Sequence, residues 1–245
     1  MWVEGRVVDR IDWNDKLFSL FIEADIGNFI PGQFIKVGLD IGDKRIGRAY
    51  SLVNAPDSPA LEVLLVSVED GLLSPALARL NPGDAIQVSS KASGYMTLDE
   101  ISQGKHLWML ATGTAVGPFI AMLRTPQPWQ RFERLVLCYG VRLARDLAYL
   151  EELQALQSAN PQQFSLIPCV TREKIPDMMQ IRLPEALRTG QLEQAAGLKI
   201  SPEQSQFMLC GNPGMVSDAQ QILLDRGLQK NLKRKPGHIT MERYW

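Results

Sequence analysis

Near residue 100 the chain changes its rhythm, and that change limits what it can fold into more than any other feature. Before it, short strand-forming stretches at Trp2–Arg10, Leu17–Ile22, Gln33–Gly38, Arg48–Leu52, Leu61–Val68 and Ala85–Ser89 alternate with turn-rich breaks such as Pro31-Gly32 and Asn81-Pro82-Gly83-Asp84. That spacing predicts a small antiparallel β-barrel, because Gly, Pro, Asn and Asp preset the turn dihedrals that reverse a chain. One helix interrupts it, over Ser74–Leu80, with Ser74 placed to cap and Pro75 suited to the first helical position. After about residue 104, apolar runs at Trp108–Ala111, Leu135–Tyr139, Phe164–Val170 and Gln206–Cys210 alternate with helical segments at Gly117–Leu123, Leu147–Gln157, Arg182–Thr189 and Pro213–Arg226. Uninterrupted apolar strands separated by helices are the pattern of a parallel sheet covered on both faces. The expected fold is therefore two-domain: an N-terminal antiparallel β-barrel over 1–100 and a C-terminal α/β parallel-sheet domain over 101–245.

Composition narrows the chemistry. Cys138, Cys169 and Cys210 are odd in number and widely spaced with no C-x-x-C pair, which argues against disulfides, a structural zinc site or an iron–sulfur cluster of the chain's own. With only His106 and His238, a histidine-rich metal site has nothing to draw on, so any redox work falls to an organic cofactor and no metal is expected. Residues 1–100 hold 9 basic and 15 acidic side chains against 17 and 12 in the remainder, so the second half is the basic one. It suits phosphorylated cofactors or acidic proteins, or is ordinary solvated surface, and Lys230, Lys233, Arg234 and Lys235 are its candidate docking residues. No basic stripe with interleaved aromatics suggests nucleic acid, and no apolar run is long enough for a membrane span. The opening Met1-Trp2-Val3-Glu4-Gly5-Arg6 lacks the pattern of a secretory signal, so a cytoplasmic location is expected.

Five segments carry chemistry. Arg48-Ala49-Tyr50-Ser51 sets a cation and an aromatic ring on one face of a strand, with a hydroxyl beside them; it can hold a phosphate and a flat ring together, or be a surface pair. Gly113-Thr114-Ala115-Val116-Gly117-Pro118 follows a strand and opens a helix, so its amides can face a pyrophosphate, although it departs from the G-x-G-x-x-G fingerprint. Gly71-Leu72-Leu73-Ser74 repeats that logic on a smaller scale. Cys210-Gly211-Asn212-Pro213 ends a strand at the edge where such sheets bind ligands, its thiol being either a buried packing group or a contact. At the carboxyl end, Glu242-Arg243-Tyr244-Trp245 carries two aromatics that need a planar ligand or a core gap to dock on.

Taken in order, these segments resemble the ferredoxin/flavodoxin–NADP(H) reductases of the bacterial type, and the resemblance spans essentially the whole chain. It implies an FAD-binding barrel, an NADP(H)-binding α/β domain, and a tail that returns to the flavin. FAD would be held by Arg48, Ala49, Tyr50, Ser51, Leu72, Leu73, Ser74, Thr114, Tyr244 and Trp245. NADP would be held by Gly113, Thr114, Arg142, Arg172, Arg182, Cys210 and Gly211, the three arginines meeting the 2′-phosphate that distinguishes NADP from NAD. Ser51, Cys210, Glu242 and Tyr244 would form the catalytic set: Cys210 beside the nicotinamide, Glu242 linked to the site through Ser51, and Tyr244 covering the flavin face opposite Tyr50. Trp245 is the bacterial extension of the tail. The implied activity is hydride transfer between NADP(H) and FAD and one-electron transfer between FAD and ferredoxin or flavodoxin, by a monomer. The alternatives are an NAD(P)H flavin reductase, an electron-transfer subunit, and a non-catalytic nucleotide-binding module.

Overall fold

The computed structural model describes residues 1–244 as two compact units. The first comprises Met1–Thr97 together with Gly117–Thr125, and the second Leu98–Val116 with the chain from Pro126 onward.

The first unit contains β1 (Trp2–Asp12), β2 (Leu17–Glu23), β3 (Phe34–Ile41), β4 (Lys44–Ser51), β5 (Leu61–Val66), α1 (Ser74–Leu77) and β6 (Ala85–Ser89). The strands run antiparallel in the order β4-β3-β6-β1-β2-β5. Just beyond β4, Leu52 pairs with Val63 of β5 and the Val53 amide donates to the Glu62 carbonyl at 2.8 Å, so the two edges meet and the sheet closes on itself. Closure leaves no long open edge. Alternate residues point inward: Leu20 and Ile22, Ile35 and Val37, Val63 and Leu65, and Ile86 and Val88 form one core. Each such side chain contributes about 1.5–3 kcal/mol by leaving water.

Two local readings are corrected. β4 starts at Lys44, not Arg48, because Gly42 (φ +61°) and Asp43 form a two-residue hairpin loop pairing Ile41 with Lys44. Its charged, largely exposed face hid it from an argument based on apolar runs. The helix stops at Leu77, and Ser74 is its first residue, not its cap: the Ser74 hydroxyl accepts from the Val68 amide at 3.1 Å instead.

Helix α2 (Gly117–Leu123) completes this unit. A Cβ on Gly117 would lie 3.1 Å from Val53, and at the far end Arg124 pairs with the buried Glu62 carboxylate and donates to the Val53 carbonyl at 3.1 Å. A helix that the sequence rhythm assigns to the second half thus packs with the barrel.

The second unit holds β7 (His106–Thr112), α3 (Pro126–Arg131), β8 (Arg134–Val141), α4 (Leu150–Ala159), β9 (Phe164–Val170), α5 (Leu183–Arg188), α6 (Gln191–Ala196), β10 (Ser205–Gly211), α7 (Pro213–Asp225) and β11 (Ile239–Arg243). All five strands are parallel, in the order β11-β10-β7-β8-β9. Every residue of β10 is buried, and Trp108 of β7 stacks on Phe207 of β10 at 5.9 Å. Cys138 and Cys169 pack in this core as free thiols with Leu110, Val136 and Leu209. No helix among the described residues is long and apolar enough to cross a membrane.

Candidate active site

In the first unit, Arg48, Ala49, Tyr50 and Ser51 form the last four positions of β4, opposite Val37, Lys36, Ile35 and Phe34 of β3. Strand alternation puts Arg48 and Tyr50 on one face. Tyr50 is half-buried against the barrel core, and burial pushes its phenol pKa up despite the nearby Arg48 charge, so it stays protonated. Arg48 is exposed and donates to the Gly47 carbonyl at 2.9 Å; no acidic side chain among the described residues pairs with it. Ser51 is buried. The Gly71 amide donates to the Val68 carbonyl, which with the Ser74 hydroxyl on the Val68 amide folds the loop before α1 onto itself. No side chain caps α1, while Leu72 is 72% exposed beside it. An apolar side chain left in solvent beside uncapped amides suits a phosphate joined to an apolar group, and the exposed Arg48 guanidinium on β4 suits an anion.

In the second unit the strand order reverses between β7 and β10, since β7 leads on to β8 on one side and β10 to β11 on the other. Ligands bind such sheets outside the carboxyl ends of the strands at that reversal. There β7 ends at Thr112, followed by Gly113 (φ +56°) and a short 3-10 turn, Gly113–Val116, that carries Thr114. Neighbouring β10 ends at Cys210-Gly211, and the Asn212 amide donates to the Thr112 hydroxyl at 2.8 Å, tying the two strand ends together. Asn212 then caps α7, its side-chain oxygen accepting from the Gly214 and Met215 amides at 2.9 and 3.2 Å.

The chain's end is held in the sheet. β11 pairs in parallel with β10, setting Glu242 opposite Cys210 and Arg243 opposite Gly211, and the Tyr244 amide donates to the Gly211 carbonyl at 3.0 Å. The tail is thus ordered by backbone pairing as far as Tyr244, a strand that the sequence reading did not foresee; Trp245 lies outside the described residues. Burial, reinforced by the Glu242 carboxylate, raises the Cys210 thiol pKa well above its usual value, while a hydrogen bond with Tyr244 pulls the other way. The thiol is therefore neutral and serves as a packing surface rather than a nucleophile.

Burial likewise raises the Glu242 pKa. A carboxyl that keeps its proton to higher pH when folded binds more protons than the unfolded chain in that window, so stability falls as pH rises from the ordinary carboxyl range through the raised value. Glu242→Gln, which cannot ionise, is expected to flatten the melting temperature against pH above the ordinary carboxyl range. Parallel pH profiles for the variant and the parent would reject this.

Arg142 and Arg172 occupy matching positions just beyond β8 and β9. Val141 pairs with Val170, after which the Thr171 amide donates to the Val141 carbonyl at 3.1 Å and the Arg172 amide to the Arg142 carbonyl at 2.9 Å. Both guanidinium groups are exposed, and neither has an acidic partner among the described residues. Arg182 immediately precedes α5, whose Leu183 lies against Gly140 near the end of β8. Lys230, Lys233, Arg234 and Lys235 sit on a loop after α7, where Leu232 and Lys235 bridge across a tight turn. Thr112 and Glu173 are site-edge residues that sequence reasoning missed; a threonine ending an apolar strand and an acid after Arg172 carry no distinctive signal alone.

Two family models match the chain: an oxidoreductase FAD-binding domain over residues 7–95 and an oxidoreductase NAD-binding domain over residues 109–221. The chain is 46% identical over 245 residues to the flavodoxin/ferredoxin–NADP reductase of Escherichia coli (strain K12), covering 100% of this chain and 99% of that protein. It is 34% identical to the ferredoxin–NADP reductase of Azotobacter vinelandii, over 97% of this chain and 95% of that one. Among solved structures, a ferredoxin NADP+ reductase from Neisseria gonorrhoeae with bound FAD and NADP superposes with a TM-score of 0.94 at 34% identity, covering 99% of this chain and 98% of that chain.

Proposed function

This chain belongs to the flavodoxin/ferredoxin–NADP reductase family, and from that membership we propose that it is a flavoprotein oxidoreductase moving a hydride between NADP(H) and FAD and single electrons between FAD and ferredoxin or flavodoxin. The observation that carries the reading is the full-length match to reductases at up to 46% identity, joined to a fold that supplies both nucleotide half-sites. Its setting as a cytoplasmic monomer belongs to the same proposal.

Bound FAD supplies the exchange between two-electron and one-electron chemistry, and the protein's task is to hold, orient and shield. In the first unit, Arg48, which has no acidic partner among the described residues, suits the FAD pyrophosphate, together with the uncapped amides at Leu72, Leu73 and Ser74. Ala49 has no side chain long enough to obstruct a ring lying along β4. Tyr50 offers a protonated phenol and an aromatic face, and Ser51 a hydroxyl, to the ring itself. In the second unit, Gly113 and Gly211 keep the backbone low at the sheet reversal, where a nicotinamide nucleotide can approach, and Thr114 offers a hydroxyl beside them. Cys210 presents a neutral thiol to the nicotinamide, Glu242, whose pKa burial raises, stands opposite it in the sheet, and Tyr244, anchored through its amide, supplies a ring; Trp245 follows it in the sequence. Arg142 and Arg172, with Arg182 nearby, suit the 2′-phosphate. The basic loop Lys230–Lys235 suits an acidic carrier.

The test is anaerobic. The visible flavin band of the purified protein should bleach rapidly with NADPH and much more slowly with NADH. Equal rates would move the function to a general flavin reductase, and a colourless protein would leave only a nucleotide-binding module.

A further inference from the structure

Two loops leave the carboxyl edge of β8 and β9 side by side, and one carboxylate joins them. Glu173, immediately after Arg172, does not turn its charge on Arg142 or Arg172; its Oε2 accepts from the Ala144 amide at 3.1 Å. That amide lies two residues beyond Arg142, so the bond runs from the loop carrying one arginine to the loop carrying the other. The first loop is braced from its own side as well: the Asp146 carboxylate accepts from the Leu143 amide at 3.2 Å, and the buried Tyr139 hydroxyl donates to the Asp146 carbonyl at 3.3 Å. It then closes through Tyr149, a buried aromatic at φ +59°, a conformation that bulky residues adopt only where their surroundings impose it. The loop is therefore held in one shape at some conformational cost, and Glu173 adds a side-chain link to the β9 loop beyond the backbone bond from the Arg172 amide to the Arg142 carbonyl.

We propose that Glu173 is a positioning residue for NADP recognition: by bonding the Ala144 amide, its carboxylate fixes the spacing of Arg142 and Arg172, so that the pair is preset for a single 2′-phosphate. The inference rests on the reading that these arginines meet that phosphate. Preset guanidinium groups lose less freedom on binding than groups whose loops are joined by that backbone bond alone, so the benefit falls on ligands that carry the 2′-phosphate and not on those that lack it. A purely electrostatic view predicts the opposite sign. An acid near an anion site weakens binding, so its removal would tighten it.

The experiment compares the holoenzyme with its Glu173→Ala, Glu173→Gln and Arg172→Ala variants, measuring dissociation constants for 2′-phospho-AMP and for AMP by calorimetry and KM for NADPH and NADH. Glu173→Ala should weaken 2′-phospho-AMP by up to roughly tenfold, the scale of the ordering cost of one immobilised long side chain, with AMP and KM for NADH unchanged. Glu173→Gln, whose amide oxygen can still accept from Ala144, should recover most of that affinity. Tighter 2′-phospho-AMP binding in both variants, equal weakening of both nucleotides, or failure of the glutamine to restore binding would each overturn the brace. Loss in Arg172→Ala but not in Glu173→Ala would overturn the brace and leave the arginine reading standing. No loss in Arg172→Ala would remove the reading on which the brace rests.

Discussion

The double variant Arg142→Ala, Arg172→Ala is expected to lose about a hundredfold in kcat/KM with NADPH while changing kcat/KM with NADH by less than about threefold. Bonds to charged groups contribute about 1.5–3 kcal/mol each, and about 1.4 kcal/mol is a factor of ten. Both guanidinium groups stand in solvent, so screening holds them to the lower end of that range. Their loops are also joined, through the Arg172 amide and the Arg142 carbonyl, so the two losses should not simply add. The effect should reside in KM, because a phosphate far from the reacting carbon is held alike in the ground and transition states. Steady-state kinetics with both nucleotides checks this. Equal losses with NADPH and NADH would mean that the pair holds something common to both, such as the pyrophosphate.

Gly211→Ala is expected to damage both stability and turnover. Gly211 sits at φ +131°, and a Cβ there would lie 2.1 Å from the Thr112 hydroxyl, the group that accepts from Asn212. A side chain in that backbone region costs about 1–3 kcal/mol, and a displaced hydrogen bond at this exposed amide about 0.5–1.5 more. At about 2–4 °C per kcal/mol for a chain of this size, the melting temperature should fall by roughly 3–18 °C. Turnover should fall with it, since Gly211 lies between Cys210 and the start of α7 and its carbonyl anchors Tyr244. Gly113→Ala is the control: its φ is +56° and no atom lies within 4 Å of the added carbon, so the milder left-handed cost of about 1–2 kcal/mol applies. A Gly211→Ala protein that melts within 2 °C of the parent and turns over normally would show that the strand ends can part without consequence.

The barrel strands and the buried strands of the second sheet were legible because both obey a burial rule visible in one dimension: alternation in the first, continuous apolar runs in the second. The hairpin Phe34–Ser51 was half missed because Lys44 and Arg45 spend that strand in solvent, where apolar pattern has nothing to say. β11 was missed for a different reason. Thr240 and Glu242 are only partly buried, and the strand exists because β10 offers it a free edge, a property of the partner and not of the segment. Among the site residues, Arg142 and Arg172 could be proposed one by one, but only the parallel register of β8 and β9 makes them neighbours. Glu173 could not be singled out at all, since its role lies in an amide on the adjacent loop.

The chain's path through the two units also has a consequence for its synthesis. Residues 98–116 build part of the second unit before 117–125 return to the first, bringing α2 and the Arg124 partner of the buried Glu62. On a ribosome, which releases domains from the amino end as they are made, the barrel emerges before Arg124, and removing one partner of a buried ion pair is strongly destabilising. The first unit is therefore finished only after the first strand of the second has left the tunnel. A gene fragment cut near codon 100 should yield a barrel that chaperones retain, whereas one extended to codon 125 carries what the barrel needs to leave them.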